Sequence, residues 1–305
     1  MVAAMRLPRF DWSAPETLAA ACAALAAAPT QTRVLAGGTD LLVKLKHSNP
    51  RSPGAEPAPQ QLLSLSLLPE LRGVSTQPDG SLRIGALCTM AELADHQLLL
   101  LLYPALAEGA SVVGGPAIRN RATVGGNVVN ARPCADTLPP LVVLGAHLQL
   151  HSLRGQRTID VDGFVSGPGQ TSIGRDEILT AITLPAPQPH SGSCYLKFTR
   201  RAAMEITVVG CAAFVRLDGS GATVEQARLC YTSVAPIPLR APAAEALLIG
   251  HSPDAATLAA AALAAQQTAK PIDDHRAPAF LRSDVIAVLT QRALCTAVER
   301  ARGAR

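Results

Sequence analysis

The chain has 305 residues, 48% hydrophobic and 16% charged, with 3% aromatic and a formal net charge of +4. That length exceeds what one core usually serves and predicts two domains, and the composition excludes a disordered chain. The basic residues are scattered without interleaved aromatics, so a mildly basic surface is expected, not a nucleic-acid stripe.

Met1 to Phe10 carries Arg6 and Arg9 but no apolar run of signal-peptide length. Leu18 to Ala28 is eleven residues, mostly alanine, too short to span a bilayer. A cytoplasmic location without membrane insertion is expected. Ser13 and Glu16 have the spacing of a capping box, with Pro15 in the first turn, and predict a helix to about Ala28. Val34 to Ala36 reads as a short buried strand, and Asp40 opens a short helix through Lys46. Ser48 to Gln60, rich in proline and polar residues, reads as a surface loop. Strands are predicted at Gln61 to Leu67 and Ser81 to Ala86. Thr89 and Glu92 form a second capping box, and a helix is expected near Gln97 to Glu108.

Ala135 to Gly145 reads as helical or mixed. Strands are expected at His147 to Ser152, Gln156 to Asp160 and Ile178 to Leu184. The stretch Pro185 to Ser193 is the sharpest break in composition and places a domain boundary. Beyond it come strands at Tyr195 to Arg200, Thr207 to Leu217 and Ala227 to Val234. Helices are predicted at Leu239 to Ile249, Asp254 to Ala269 and Ser283 to Arg300. The fold class is α+β, without the regular alternation of a doubly wound sheet.

Two glycine-centred segments carry the functional signal. The first reads V-L-A-G-G-T-D-L-L, Val34 to Leu42; the second reads G-G-P-A-I-R-N-R-A-T-V-G-G-N, Gly114 to Asn127. Glycine lets main chain approach a ligand without a Cβ in the way, and successive N–H groups in such turns hold anions. Each alone reads equally as an ordinary turn; two in one chain suggest a pyrophosphate held from both sides, hence a dinucleotide and most simply FAD. The first turn also opens a helix, whose N-terminus favours negative charge. Neither segment fits G-x-x-x-x-G-K-[ST] or G-x-G-x-x-G. The seven cysteines contain no C-x-x-C pair, so no self-contained zinc or iron–sulfur ligand set is legible.

These segments resemble a known family when read with N-A-R-P-C-A-D-T-L-P-P (Asn130 to Pro140), D-E-I-L-T (Asp176 to Thr180) and Y-L-K-F-T-R-R-A-A-M-E-I (Tyr195 to Ile206). The chain is similar over nearly its whole length to the FAD-binding (medium) subunit of molybdenum hydroxylases, the xanthine dehydrogenase family. That family includes the carbon monoxide dehydrogenase medium subunit and the 4-hydroxybenzoyl-CoA reductase beta subunit. The resemblance implies a two-part FAD-binding domain of the vanillyl-alcohol-oxidase (PCMH) type over 1–188, with subdomains of about 1–55 and 56–188. A smaller α+β C-terminal domain would follow over 189–305.

The resemblance also implies site residues. Val34, Leu35, Ala36, Gly37, Gly38, Thr39, Asp40 and Leu41 match the first FAD segment, and Thr123, Gly125, Gly126 and Asn127 the second. Asp136 matches an aspartate that hydrogen-bonds the cofactor, Ile178 an apolar position touching the ring system, Tyr195 a ring-packing tyrosine and Lys197 a lysine reaching the flavin. Taken alone, Asp136 also reads as a helix cap, Tyr195 as core and Lys197 as a surface charge. Arg119 and Arg121 flank the second segment and read equally as contacts to a phosphate or a partner and as exposed loop arginines. Asn127 runs straight into V-V-N-A-R-P-C, without the cysteine-rich insert of the 4-hydroxybenzoyl-CoA reductase type, so no 4Fe-4S cluster is expected.

The implied function is electron transfer. A large partner subunit would carry the molybdopterin cofactor, a small one the 2Fe-2S clusters, and the flavin here would pass electrons to NAD+ or another acceptor, in a dimer of heterotrimers. Two alternatives stay open: a self-sufficient reductase similar to the enolpyruvyl-UDP-N-acetylglucosamine reductase group, and a scaffold subunit without cofactor.

Overall fold

The computed structural model describes residues 7–47 and 57–303. The chain opens with β1 (Asp11–Ser13), α1 (Leu18–Ala27), β2 (Thr32–Leu35), α2 (Leu41–His47) and β3 (Gln61–Ser64). β3 lies between β1 and β2 and runs parallel to both. Alternate residues of a strand face opposite sides. Leu63 therefore packs on Ala21, Cys22 and Leu25 of α1, while Leu62 packs on Leu35 and Leu45.

Two expectations need correction here. Ser13 does not cap α1; pairing with β3 keeps it extended, and its hydroxyl accepts from Gln61 Nε2 at 3.0 Å. Thr17 caps the helix instead, accepting the Ala20 N–H at 3.2 Å. A subdomain division near 55/56 would separate β3 from the sheet whose central strand it is. The loop expected from Ser48 lies, through residue 56, outside the described residues.

The next stretch holds β4 (Val74–Thr76), β5 (Leu82–Gly85), α3 (Met90–Ala94), α4 (Gln97–Leu102), α5 (Pro104–Ser111), α6 (Pro116–Arg119), α7 (Val124–Asn130) and α8 (Leu138–Val143). Then come β6 (His147–Ser152), β7 (Gly155–Asp160), the hairpin β8 (Val165–Gly167) and β9 (Gln170–Thr171), and β10 (Ile178–Leu184). Five strands form an antiparallel sheet in the order β4-β5-β10-β6-β7. Its inner face, with Ile84, Leu148, Leu150 and Ile182, shares one core with Leu106, Val124, Leu138 and Leu141 from the helices. The Thr89–Glu92 capping box forms. The single helix expected over Gln97 to Glu108 is two, because Pro104 supplies no N–H to continue the first.

The C-terminal stretch holds β11 (Ser191–Phe198), β12 (Val209–Leu217), β13 (Val224–Thr232), β14 (Leu239–Arg240), α9 (Pro242–Ala246), α10 (Ala255–Thr268) and α11 (Ala279–Ala301). The four strands pair antiparallel in chain order. One face of this sheet is covered by α11 and the other, around Ala212, by α8, which is why β12 reads as a near-continuous apolar run. Cys211, Ala213, Leu229 and Tyr231 pack against Ile286, Leu289 and Ala293 of α11. Tyr195, Ala212 and Cys230 on the other face join the core under α8. The helix expected from Leu239 starts only at Pro242, because Leu239 and Arg240 pair with β13. No helix among the described residues is long and apolar enough to cross a membrane.

One buried cation closes this unit. Arg282, 3% exposed, donates to the carbonyls of Val208 at 3.0 Å and Ser233 at 2.7 Å and pairs with Asp274 at 2.7 Å. Desolvation pushes the Asp274 carboxyl up, but the N–H groups of Arg276 and Ala277 and the Arg282 guanidinium outweigh it and hold it well below 3.8. Asp274→Ala is expected to lower the unfolding free energy by about 3 kcal/mol, since it strands a buried charge. The depressed carboxyl contributes fully above its unfolded value and less as pH falls through that value toward the folded one. Denaturant melts of both proteins should therefore converge as the pH drops below about 4.

Candidate functional site

The site is built where the turn after β2 meets the start of α7. Gly38 has φ +76°, a left-handed conformation that a side chain disfavours, and it turns β2 sharply into α2. A Cβ on Gly37 would lie 2.0 Å from the Arg121 carbonyl oxygen, so the turn rests directly on the chain entering α7. Among the described residues no protein acceptor meets the N–H groups of Gly37, Gly38, Thr39 and Asp40. Four consecutive free donors beside a helix start make an anion-binding concavity. Val34 and Ala36, which lead into the turn, pack in the same apolar cluster as Ile178 of β10. Leu35 is buried on the opposite face, and Leu41 packs beside it.

The second glycine segment does not match its expectation as a turn of free N–H groups. It is the first turn of α7, with Thr123 as N-cap. Val124 N–H donates to the Cys88 carbonyl, Gly125 N–H to that of Ala86, both at 2.9 Å, and Gly126 N–H to the Thr123 hydroxyl at 3.1 Å. Gly125 is small for packing: its Cβ would fall 2.7 Å from the Ala86 Cβ. This segment therefore offers a ligand the Thr123 hydroxyl proton and the Asn127 amide. The Asn127 carbonyl oxygen accepts the Thr137 hydroxyl at 2.7 Å, which leaves the amide N–H groups directed away from that contact.

Thr137 links this segment to a buried polar cluster. Asp136 is 6% exposed and accepts from the Lys197 ammonium at 2.9 Å, the Tyr195 hydroxyl at 2.7 Å and the Thr207 hydroxyl at 2.6 Å. Burial pushes the Asp136 carboxyl up, and the ammonium and the two hydroxyls offset part of that. Burial likewise holds the Tyr195 phenol well above its ordinary value, so it stays a donor. Lys197 also donates to the Val112 carbonyl at 3.0 Å. Two of its three N–H groups are thus held by protein and one remains. From Val112 the chain runs on through α6 to Arg121, so the lysine and the glycine turn bracket one continuous segment.

The sequence-expected residues fall into two joined groups. Val34 to Leu41 and Ile178 gather around the first turn. Asp136, Tyr195 and Lys197 gather in the polar cluster, and Thr123 to Asn127 lie between. Arg119 is turned onto its own loop, donating to the carbonyls of Val113 at 3.3 Å and Gly114 at 3.2 Å. Arg121 serves the site through its carbonyl, and its side chain is exposed. Sequence reasoning missed Thr137, Thr207 and Glu108. Thr137 is adjacent to Asp136 within a quoted motif and was open to notice; Thr207 and Glu108 carry no local signal.

A strand-to-helix turn with free N–H groups, seated without room for a side chain on the start of a second helix, is suited to hold an anionic group such as a phosphate. The family description "FAD binding domain in molybdopterin dehydrogenase" matches residues 8–187, and "CO dehydrogenase flavoprotein C-terminal domain" matches residues 194–297. The xanthine dehydrogenase FAD-binding subunit of Escherichia coli O157:H7 is 38% identical over 94% of this chain and 95% of its own length. The carbon monoxide dehydrogenase medium chain of Hydrogenophaga pseudoflava is 31% identical over 96% of this chain and 98% of its own.

Among solved structures, carbon monoxide dehydrogenase from Hydrogenophaga pseudoflava superposes with a TM-score of 0.89 at 32% identity, over 97% of this chain and 99% of that one. Quinoline 2-oxidoreductase from Pseudomonas putida 86 gives a TM-score of 0.86 at 28% identity, over 98% and 99%. The chain belongs to the molybdenum hydroxylase FAD-binding subunit family and is an FAD-dependent oxidoreductase subunit.

Gly37→Ala drives a Cβ into a backbone carbonyl, which no side-chain rearrangement relieves. Its FAD content is expected to fall at least tenfold at a fixed flavin concentration, about 1.4 kcal/mol or more. Gly219→Ala, with nothing within 4 Å of its Cβ, should keep wild-type content. The ratio of visible flavin absorbance to protein absorbance after gel filtration measures both.

Proposed function

We propose that this chain is the electron-transfer subunit of a multi-subunit molybdenum hydroxylase. A large partner would oxidise an organic substrate at a molybdopterin cofactor, and a small partner would relay electrons through 2Fe-2S clusters to FAD held here. NAD+ or another acceptor would then take them, in a dimer of heterotrimers. The observation that carries this reading is the seating of the Gly37 turn, with its free N–H groups, on the Arg121 carbonyl. The subunit names of the xanthine and carbon monoxide dehydrogenase relatives support the partner assignment. We assign residues 1–188 to the FAD-binding part and 189–305 to the C-terminal part.

FAD supplies the capacity to take electrons singly and release them singly or in pairs. The chain supplies position and charge. The free N–H groups from Gly37 to Asp40 would hold the pyrophosphate, together with the Thr123 hydroxyl and the Asn127 amide. Val34, Ala36 and Ile178 on one face of β2, and Leu35 and Leu41 on the other, support that turn. Lys197 would offer its third N–H to the flavin, its ammonium fixed by Asp136, which Tyr195 and Thr207 hold in turn. Gly125 and Gly126 let α7 approach. No side chain of this subunit acts as acid or base on the organic substrate.

Expression with the neighbouring coding regions tests this reading. Two further polypeptides should co-purify, one with molybdenum and one with iron, and the complex should show flavin absorbance. A colourless chain would leave the scaffold reading, and reduction of a substrate by the isolated chain would leave the self-sufficient reductase. Lys197→Met removes a positive charge that favours the reduced, anionic flavin. The flavin potential is expected to fall by about 30 mV or more, roughly 1.4 kcal/mol for a two-electron couple. Asp136→Asn removes the opposing charge and should shift the potential upward. Redox titration of the bound flavin reads both signs.

A further inference from the structure

The inner face of the C-terminal sheet is only half covered. Near Tyr195, Ala212 and Cys230 it lies in the core under α8. Further along, Phe214 pairs with Arg228, Arg216 with Gln226 and Ser193 with Phe214, and α8 has ended at Val143. The face there opens into a cleft of ≈ 60 Å³ at the seam between the two parts of the chain. Tyr103 and Leu144 wall one side of it, and the linker at Pro185 closes another. The linker is pinned by the Tyr103 hydroxyl, which donates to the Pro185 carbonyl at 2.6 Å.

Arg228 is the charge in this cleft. Its guanidinium lies 5.9 Å from the centroid of the Phe214 ring and donates to the Val143 carbonyl at 3.3 Å. Among the described residues no carboxylate pairs with it. The two acids whose field reaches it, Asp162 and Glu245, are both paired with Arg240, at 3.1 Å and 2.6 Å. Desolvation first, and Arg240 second, push the Arg228 pKa down. The backbone is shaped for this guanidinium: Gly145 has φ +68°, and a Cβ on it would lie 2.6 Å from Nη1. A half-buried guanidinium without a counter-charge is costly, and its fork of N–H donors matches a carboxylate. The volume holds only a few water positions, far too little for a nucleotide.

We propose that this seam cleft binds a small organic monocarboxylate, with its charge on Arg228 and its short apolar part against Tyr103 and Leu144. The site is independent of the FAD assignment. Calorimetric titration of the FAD-loaded full chain with isobutyrate, isobutyramide and sulfate tests it. Isobutyrate should bind, with isobutyramide and sulfate weaker by roughly tenfold or more, since one lacks the charge and the other the apolar part. Arg228→Gln should weaken isobutyrate to a similar degree, whereas Arg154→Gln, an exposed control paired with Asp176, should bind as wild type.

Gln226 is two residues from Arg228 on the same strand face. Gln226→Glu supplies the missing carboxylate from within and should abolish isobutyrate binding while keeping or raising the melting temperature. Isobutyramide or sulfate binding as tightly as isobutyrate, unchanged binding in Arg228→Gln or Gln226→Glu, or no heat from isobutyrate at all would each overturn the assignment.

Discussion

One backbone contact sets the geometry of the rest: Gly37 against the Arg121 carbonyl. A Cβ there would sit 2.0 Å from the oxygen, so the first sheet can meet the helical layer at this depth only through a residue without a side chain. Each partner is held from behind by its own sheet. The turn continues β2, whose partner β3 is the central strand of the parallel sheet. The segment across from it is tied to the antiparallel sheet by Gly125 N–H on the Ala86 carbonyl and by the bridge of Thr89 with Thr123. The two glycine pairs thus do different work. Gly37 and Gly38 free N–H groups for a ligand, and Gly125 lets α7 lie against the end of β5.

The Asp136 cluster performs the matching task on the other side. A buried carboxylate with an ammonium is weak evidence for stability, because desolvation consumes much of the Coulomb gain. Its value is positional. Asp136 follows α7 in the chain, whereas Tyr195 and Lys197 belong to β11 and Thr207 to the loop leading into β12. Every oxygen contact therefore fixes one part of the chain relative to the other. Thr137, beside Asp136, reaches Asn127, so the register of α7 and the height of the ammonium are set by one short peptide.

The sequence disclosed elements where a local rule decided them. The period-two run H-L-Q-L-H-S became β6, and the Thr89–Glu92 spacing became a capping box because both partners lie within one helical turn. It misled where distant pairing overrode a local rule, as when β3 kept Ser13 extended and β13 drew Leu239 into a strand. The first glycine turn was legible because a positive φ demands glycine at that place. The second was misread because G-G alone does not distinguish a turn from a helix start packed against another chain segment. Asp136, Tyr195 and Lys197 were singled out by resemblance alone; no spacing in the sequence predicts that residues some sixty positions apart share one carboxylate.

How firmly Lys197 is placed follows from its strand. β11 is an edge of its sheet, and an edge strand normally shows a row of unpaired N–H groups. Here α5 covers it: Glu108 accepts the outward Tyr195 N–H at 2.7 Å and pairs with Arg300 of α11 at 2.7 Å, and Arg300 also donates to the Ser193 carbonyl at 2.6 Å. On the same strand, Gly192 allows α11 to cross close by, its Cβ position lying 2.1 Å from the Ala297 carbonyl. The lysine backbone is therefore clamped by a helix on each side of the strand, and its side chain by Asp136 and Val112. A charge held this way keeps one distance from whatever lies beside it. A long, flexible lysine on an open edge would spread its field over many positions and lose rotamer entropy on meeting a ligand. The exposed-surface reading of Lys197 fails for that reason, and the residues that defeat it, Glu108 and Arg300, lie 89 and 103 positions away along the chain.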